Sequence, residues 1–96
     1  MGLRQIPGVG RAIEAHLNRL GFWEVEDLRG WQPEEIYQLD CQQKGFQEDR
    51  CELYVLRLAV WYAEHPGQPL PPGREHWWQW KETDYQPVYP KSPRRI

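Results

Sequence analysis

Apolar side chains recur at three- and four-residue steps over the first 65 residues and then thin out among prolines. Leu3 and Ile6 share a face for about one turn, a stub that Pro7-Gly8-Val9-Gly10 stops. Proline disfavours αR in the residue before it, and glycine permits positive φ. Val9, Ile13, Leu17 and Leu20 then form a stripe at i, i+4, i+8 and i+11, which predicts a helix over 11–20. Gly21 is placed as its C′ residue and Phe22 as the apolar contact beyond it. A short helix is expected at 25–28, ended by Gly30. Pro33 suits the first position of the next helix, with Glu34 and Glu35 at the positive end of its dipole and Gly45 closing it. Ile36, Tyr37, Leu39 and Cys41 give that helix its apolar side. The segment 48–64 is apolar almost all round, so it must be surrounded by other elements. Arg57 interrupts it and needs either an acidic partner, such as Asp40 or Glu26, or an internal anion.

From Pro66 onward the pattern changes. Seven of the nine prolines lie there, and 66–73 cannot be helical. A two-turn helix is expected at 74–81, carrying Trp77, Trp78 and Trp80, followed by an extended and mobile end. The expected organisation is a helical bundle over 1–65 and a proline- and tryptophan-rich arm over 66–96 that packs on it. The 41–51 segment, with Gly45 at its centre, has the outline of a degenerate second hairpin.

Composition narrows the class. The 96 residues suit one domain, and 13 aromatic against 18 aliphatic side chains mean that a few large rings must supply much of the core. No apolar stretch approaches the roughly 20 residues of a membrane span, so no membrane association is expected. The amino terminus carries neither the apolar core of a secretory signal nor the serine or threonine of a myristoylation signal, which points to the cytoplasm. Net charge is -2, distributed as zero over 1–30, -4 over 31–65 and +2 over 66–96. A dedicated nucleic-acid binder usually carries a stronger basic excess.

Ile6-Pro7-Gly8-Val9-Gly10, a helix, and then Gly21-Phe22 resemble a helix-hairpin-helix motif. The two glycines permit a tight turn, and the helix after them begins with unpaired amides at the positive end of its dipole. Such an arrangement suits one anionic oxygen, on DNA a backbone phosphate held without sequence reading. The candidate nucleic-acid-binding residues are therefore Gly8, Val9, Gly10 and Arg11, the last through a charge-assisted contact. Arg11 and Glu14 are i, i+3 neighbours, which cancels part of the local positive potential.

The wider chain is similar to the bacterial pathogenicity-locus proteins. The likeness rests on residues 3–10, Val25-Glu26-Asp27-Leu28, Pro33-Glu34-Glu35-Ile36-Tyr37, residues 49–55, residues 57–63 and Trp77-Trp78-Gln79-Trp80-Lys81. The resemblance implies a small all-helical protein; members are sometimes labelled mitomycin-resistance proteins, a label without an established mechanism. A more distant likeness is to the carboxy-terminal domain of the competence regulator TfoX, which opens with a similar hairpin. The expected fold is thus all-α, a SAM-like helix-hairpin-helix bundle of about five short helices with a proline-rich carboxy-terminal arm.

No catalytic constellation stands out: nucleophile elbow, Walker loop and HExxH are all missing from the sequence. Cys41, Cys51, His16, His65 and His76 lack metal-ligand spacing, so neither a metal nor another cofactor is expected. The cysteines are read as buried free thiols, with a disulfide as the alternative. The tryptophan cluster either covers the bundle or offers bases a stacking surface. Two PxxP matches near the end, Pro87-Val88-Tyr89-Pro90 and Pro90-Lys91-Ser92-Pro93, are too short to carry weight. The preferred function is a non-enzymatic module contacting double-stranded DNA, as monomer or dimer. The alternative is an adaptor that binds another protein and no nucleic acid.

Overall fold

The computed structural model describes residues 2–95 and contains three α-helices: α1 (Arg11–Arg19), α2 (Pro33–Lys44) and α3 (Arg50–Glu64). Three single 3-10 turns, Leu3–Gln5, Val25–Leu28 and Trp77–Trp80, stand before, between and after them. Among the described residues there is no strand, only one antiparallel bridge between Gly2 and Glu24. Met1 and Ile96, the outer ends of the two expected segments, lie outside the described residues. The fold is all-α, but the expected five helices reduce to three. Val25-Glu26-Asp27-Leu28 and the tryptophan segment are too short between their breakers to add a second helical turn, and each closes as a 3-10 turn.

Local chemistry accounts for the helix ends. At the end of α1 the Phe22 amide donates to the Leu17 carbonyl (2.9 Å) and the Gly21 amide to the Asn18 carbonyl (3.0 Å). These are the two bonds of a Schellman cap, which needs the positive φ of Gly21 and the buried Phe22. Pro33 opens α2 and Gly45, at φ 80°, ends it. The start of α3 lies two residues later than the pattern suggests, because the Asp49 carboxylate accepts from the Cys51 amide (2.8 Å) and so caps the helix. No helix among the described residues is long and apolar enough to cross a membrane.

Helix α3 is the centre, packed against α2, the Val25–Leu28 turn and the Trp77–Trp80 turn. It buries Leu53, Val55, Leu56, Leu58, Ala59, Val60 and Ala63, and each fully buried large aliphatic contributes about 1.5–3 kcal/mol. Trp80, buried, covers one side and satisfies its indole N–H on the Arg74 carbonyl (3.0 Å). Arg57 does find acidic partners, but not the two expected. Its Nη1 donates to the carbonyls of Trp80 (2.9 Å) and Lys81 (3.0 Å), its Nη2 to Glu34 (3.2 Å), and Asp84 lies 3.6 Å from its Nε. Asp40 is six residues beyond Glu34 on α2 and faces a different way, toward Glu52.

The arm beyond Trp80 is extended, as expected, but it is tied down along its length rather than loose. The Trp31 indole donates to the Ser92 carbonyl (2.7 Å), the Ser92 amide to the Arg29 carbonyl (3.0 Å) and the Arg95 amide to the Gly21 carbonyl (2.9 Å). Glu64, buried at the end of α3, accepts from the Gly30, Val88 and Tyr89 amides and the Tyr85 hydroxyl, at 2.8–3.3 Å. Burial, and then hydrogen bonding to that carboxylate, hold the Tyr85 hydroxyl protonated well above its ordinary range.

Candidate functional site

The turn between Ile6 and α1 is built from the inside outward. Leu3 and Ile6 are fully buried and fix its entry, and the Ile6 amide donates back to the Leu3 carbonyl (3.1 Å). Gly8 has φ 91°, and a Cβ there would stand 3.1 Å from Cβ of Trp77. Glycine is required at this position both for the backbone angle and for the approach of the arm. Val9 is turned inward: its side chain is buried and its amide donates to the Ile6 carbonyl (3.1 Å). Gly10 differs from both. Its backbone is extended (φ -97°, ψ -169°), and no atom lies within 4 Å of where its Cβ would be.

No side chain caps α1, and its first helical bond runs from the Glu14 amide to the Gly10 carbonyl (3.0 Å). The amides of Arg11, Ala12 and Ile13 therefore precede the hydrogen-bond ladder. Arg11 is exposed beside them, and Arg4 is exposed on the stub before the turn. Of the four residues singled out in the sequence, Gly10 and Arg11 face open space, Gly8 carries the arm, and Val9 belongs to the core.

The arm also places a ledge of rings beside Gly8. Trp77 meets Trp78 edge-on (centroids 5.6 Å apart), and Trp78, 55% exposed, stacks on His76 (4.5 Å, 2° between planes). The basic end of the arm goes elsewhere. Arg94 donates to the Leu20 carbonyl (3.3 Å) and Arg95 pairs with Asp27 (2.9 Å), at the far end of α1, about 13 Å from Arg11 for nine residues.

A second group of polar residues lies beneath α1. His16 from α1, Asp40 and Lys44 from α2, Glu52 from α3 and Glu48 from the intervening loop converge there. His16 Nδ1 is 2.7 Å from Glu52 Oε1 and 3.2 Å from Asp40 Oδ2. Lys44 Nζ lies 2.8 Å from His16 Nε2 and 3.3 Å from Asp40 Oδ2, and it bonds Glu48 Oε2. Burial lowers the pKa of His16, against a smaller opposing pull from Asp40. Burial, and then the adjacent Asp40, pushes the Glu52 carboxyl up to about 8. For Lys44 burial works downward, but the Glu48 and Asp40 carboxylates outweigh it and raise the ammonium's pKa.

The remaining cysteines and histidines are dispersed. His65 stacks on Trp61 (4.0 Å) and His76 on Trp78. Both thiols are free; Cys41 is half-buried, but Cys51, expected to be buried, is exposed in the first turn of α3. Hydrogen bonding to Asp49 raises the Cys51 thiol, which keeps it a poor nucleophile at neutral pH.

The model of the Cdd1 family, described as pathogenicity locus, matches residues 1–86. The chain belongs to the pathogenicity locus family. No curated protein and no solved structure matches it. The match takes in the Ile6–Gly10 turn, all three helices and the aromatic ledge, so in this pathogenicity locus protein both polar sites lie on family sequence. The cluster beneath α1 was not apparent from motif spacing, because its members come from three helices and a loop. A signal does exist: Asp40, Lys44 and Glu48 follow one another at four-residue steps, with Glu48 just past the end of α2.

Proposed function

We propose that this protein is a non-enzymatic binding module whose helix-hairpin-helix unit takes one backbone phosphate of double-stranded DNA on the amides at the start of α1. One observation carries this reading. Gly10 has an ordinary backbone angle and open space where a side chain would stand, so neither strain nor packing requires glycine there, and the N-cap role alone would suit serine or aspartate as well. A ligand approaching the Gly10–Ile13 amides closely does need it. Arg11 supplies the adjacent positive charge, and the exposed Trp78 ledge widens the contact surface. The cytoplasm is the compartment this reading implies, where both thiols stay reduced.

With net charge -2 and the arm's arginines engaged elsewhere, few phosphates are neutralised, about two if Arg4 and Arg11 both contribute. Fluorescence anisotropy with a labelled duplex is then expected to show affinity falling about tenfold between ~50 and ~200 mM salt. Arg11→Glu is expected to weaken binding by about tenfold or more while thermal stability holds or rises slightly, since an acidic residue suits the first turn of a helix. The absence of any binding at the lower salt would overturn the reading.

A different observation favours the adaptor alternative. Phe46, 59% exposed, edges a groove of about 400 Å³ lined by Tyr37, Gln38, Cys41, Gln42 and Gln47. An exposed ring beside a groove is a common anchor for a protein partner.

A further inference from the structure

The cluster beneath α1 brings three carboxyl groups, Asp40, Glu48 and Glu52, to one ammonium. Asp40 is 1% exposed and Glu52 8%, yet Asp40 Oδ1 and Glu52 Oε2 have no hydrogen-bond partner. The side chains packed beside them are apolar: Ile13, Leu17, Leu20, Ile36 and Leu56. Buried polar oxygens left without a partner in such a setting are costly.

Lys44 marks where positive charge belongs. Its ammonium sits among His16 Nε2, Asp40 Oδ2 and Glu48 Oε2. The ammonium is also 3.1 Å from His16 Nδ1, so it lies beside the imidazole ring, and Nδ1 is in turn 2.7 Å from Glu52 Oε1. We propose that this cluster is a binding site for a divalent first-row transition ion such as Zn2+, held by His16, Asp40 and Glu48 in place of the Lys44 ammonium, with Glu52 beside His16.

The geometry requires the Lys44 ammonium to leave and the His16 ring to turn a nitrogen toward the ion. The donor atoms lie within 4.8 Å of one another, whereas four ligands at about 2.1 Å from zinc stand roughly 3.4 Å apart. Lys44 and Glu48 are partly exposed, so the site opens to solvent on their side, and the flexible lysine stem can carry its charge out to water. The imidazole nitrogen in the donor set selects against Mg2+ and Ca2+.

Isothermal titration of the chelator-stripped full chain with Zn2+, paired with thermal unfolding, tests this. The wild type is expected to bind one ion and to melt at a higher temperature with it. Lys44→Met removes the competing charge but keeps the stem, and is expected to bind about tenfold tighter. Asp40→Asn, of the same shape, is expected to lose binding about a hundredfold; should it not fold, His16→Gln serves the same purpose. Cys51→Ser is expected to bind as the wild type does, and Co2+ is expected to give visible d–d absorption. Three results would overturn the proposal: no heat and no melting shift for both wild type and Lys44→Met at millimolar Zn2+; binding that survives both Asp40→Asn and His16→Gln; or a Lys44→Met protein that is destabilised and gains no affinity.

Discussion

Gly30→Ala is expected to pull the carboxy-terminal arm off the bundle and to destabilise the fold by about 3 kcal/mol. Two causes combine. Gly30 has φ 81°, and an L side chain in that region costs roughly 1–2 kcal/mol. A Cβ there would also stand 2.2 Å from the Pro90 carbonyl oxygen and 2.4 Å from its carbon, both backbone atoms that no rotamer change can move away. Either the loop carrying Gly30 or the arm must shift, and the adjacent Ser92 bonds to Arg29 and Trp31 go with it. Urea unfolding reads the loss of stability, and limited proteolysis reads the release of the arm as new cleavage beyond Trp80. A variant as stable and as protease-resistant as the wild type would contradict the packing described.

Glu64→Ala is expected to cost more, about 3–5 kcal/mol. The carboxylate gathers three backbone amides and the Tyr85 hydroxyl into a buried anchor between α3, the Gly30 loop and the arm. Removing it leaves those donors short of partners where water reaches poorly, and bonds to a charged acceptor are among the stronger ones. The phenol of Tyr85 reports the same event: its pKa, raised by burial and by Glu64, is expected to fall toward the ordinary tyrosine value in the variant. Urea unfolding and an ultraviolet pH titration of the tyrosines measure the two effects. A loss below about 1 kcal/mol would mean that the arm is held by other contacts.

Much of the fold was legible from local chemistry. Gly21-Phe22 carried the end of α1, Pro33 and Gly45 bounded α2, and the nearly unbroken apolar run of 50–64 required α3 to be central. Each of these rests on interactions within a few residues. What the pattern could not carry were pairings distant in sequence. Gly30 and Pro90 are 60 residues apart, and nothing near either position announces their contact. Arg57 called for an acidic partner or an internal anion, but the choice of Glu34 over Asp40 depends on the rotation of α2 about its axis. The arm looked loose because prolines favour extended chain, whereas its amides and carbonyls are taken up by Glu64, Arg29, Trp31 and Gly21.

The turn shows the same division. Its glycines signalled a tight bend, but only the three-dimensional packing separates their duties: Gly8 lies under Trp77, whereas Gly10 faces open space. That difference makes Gly10→Ala the most direct measurement. The fold tolerates the added methyl, with stability expected to fall by about 1 kcal/mol, because the backbone angle is ordinary but alanine is a poorer N-cap than glycine. A phosphate seated on the α1 amides does not tolerate it, so duplex affinity at low salt is expected to fall about tenfold or more. Unchanged affinity in a fully folded Gly10→Ala protein would contradict phosphate binding at this turn.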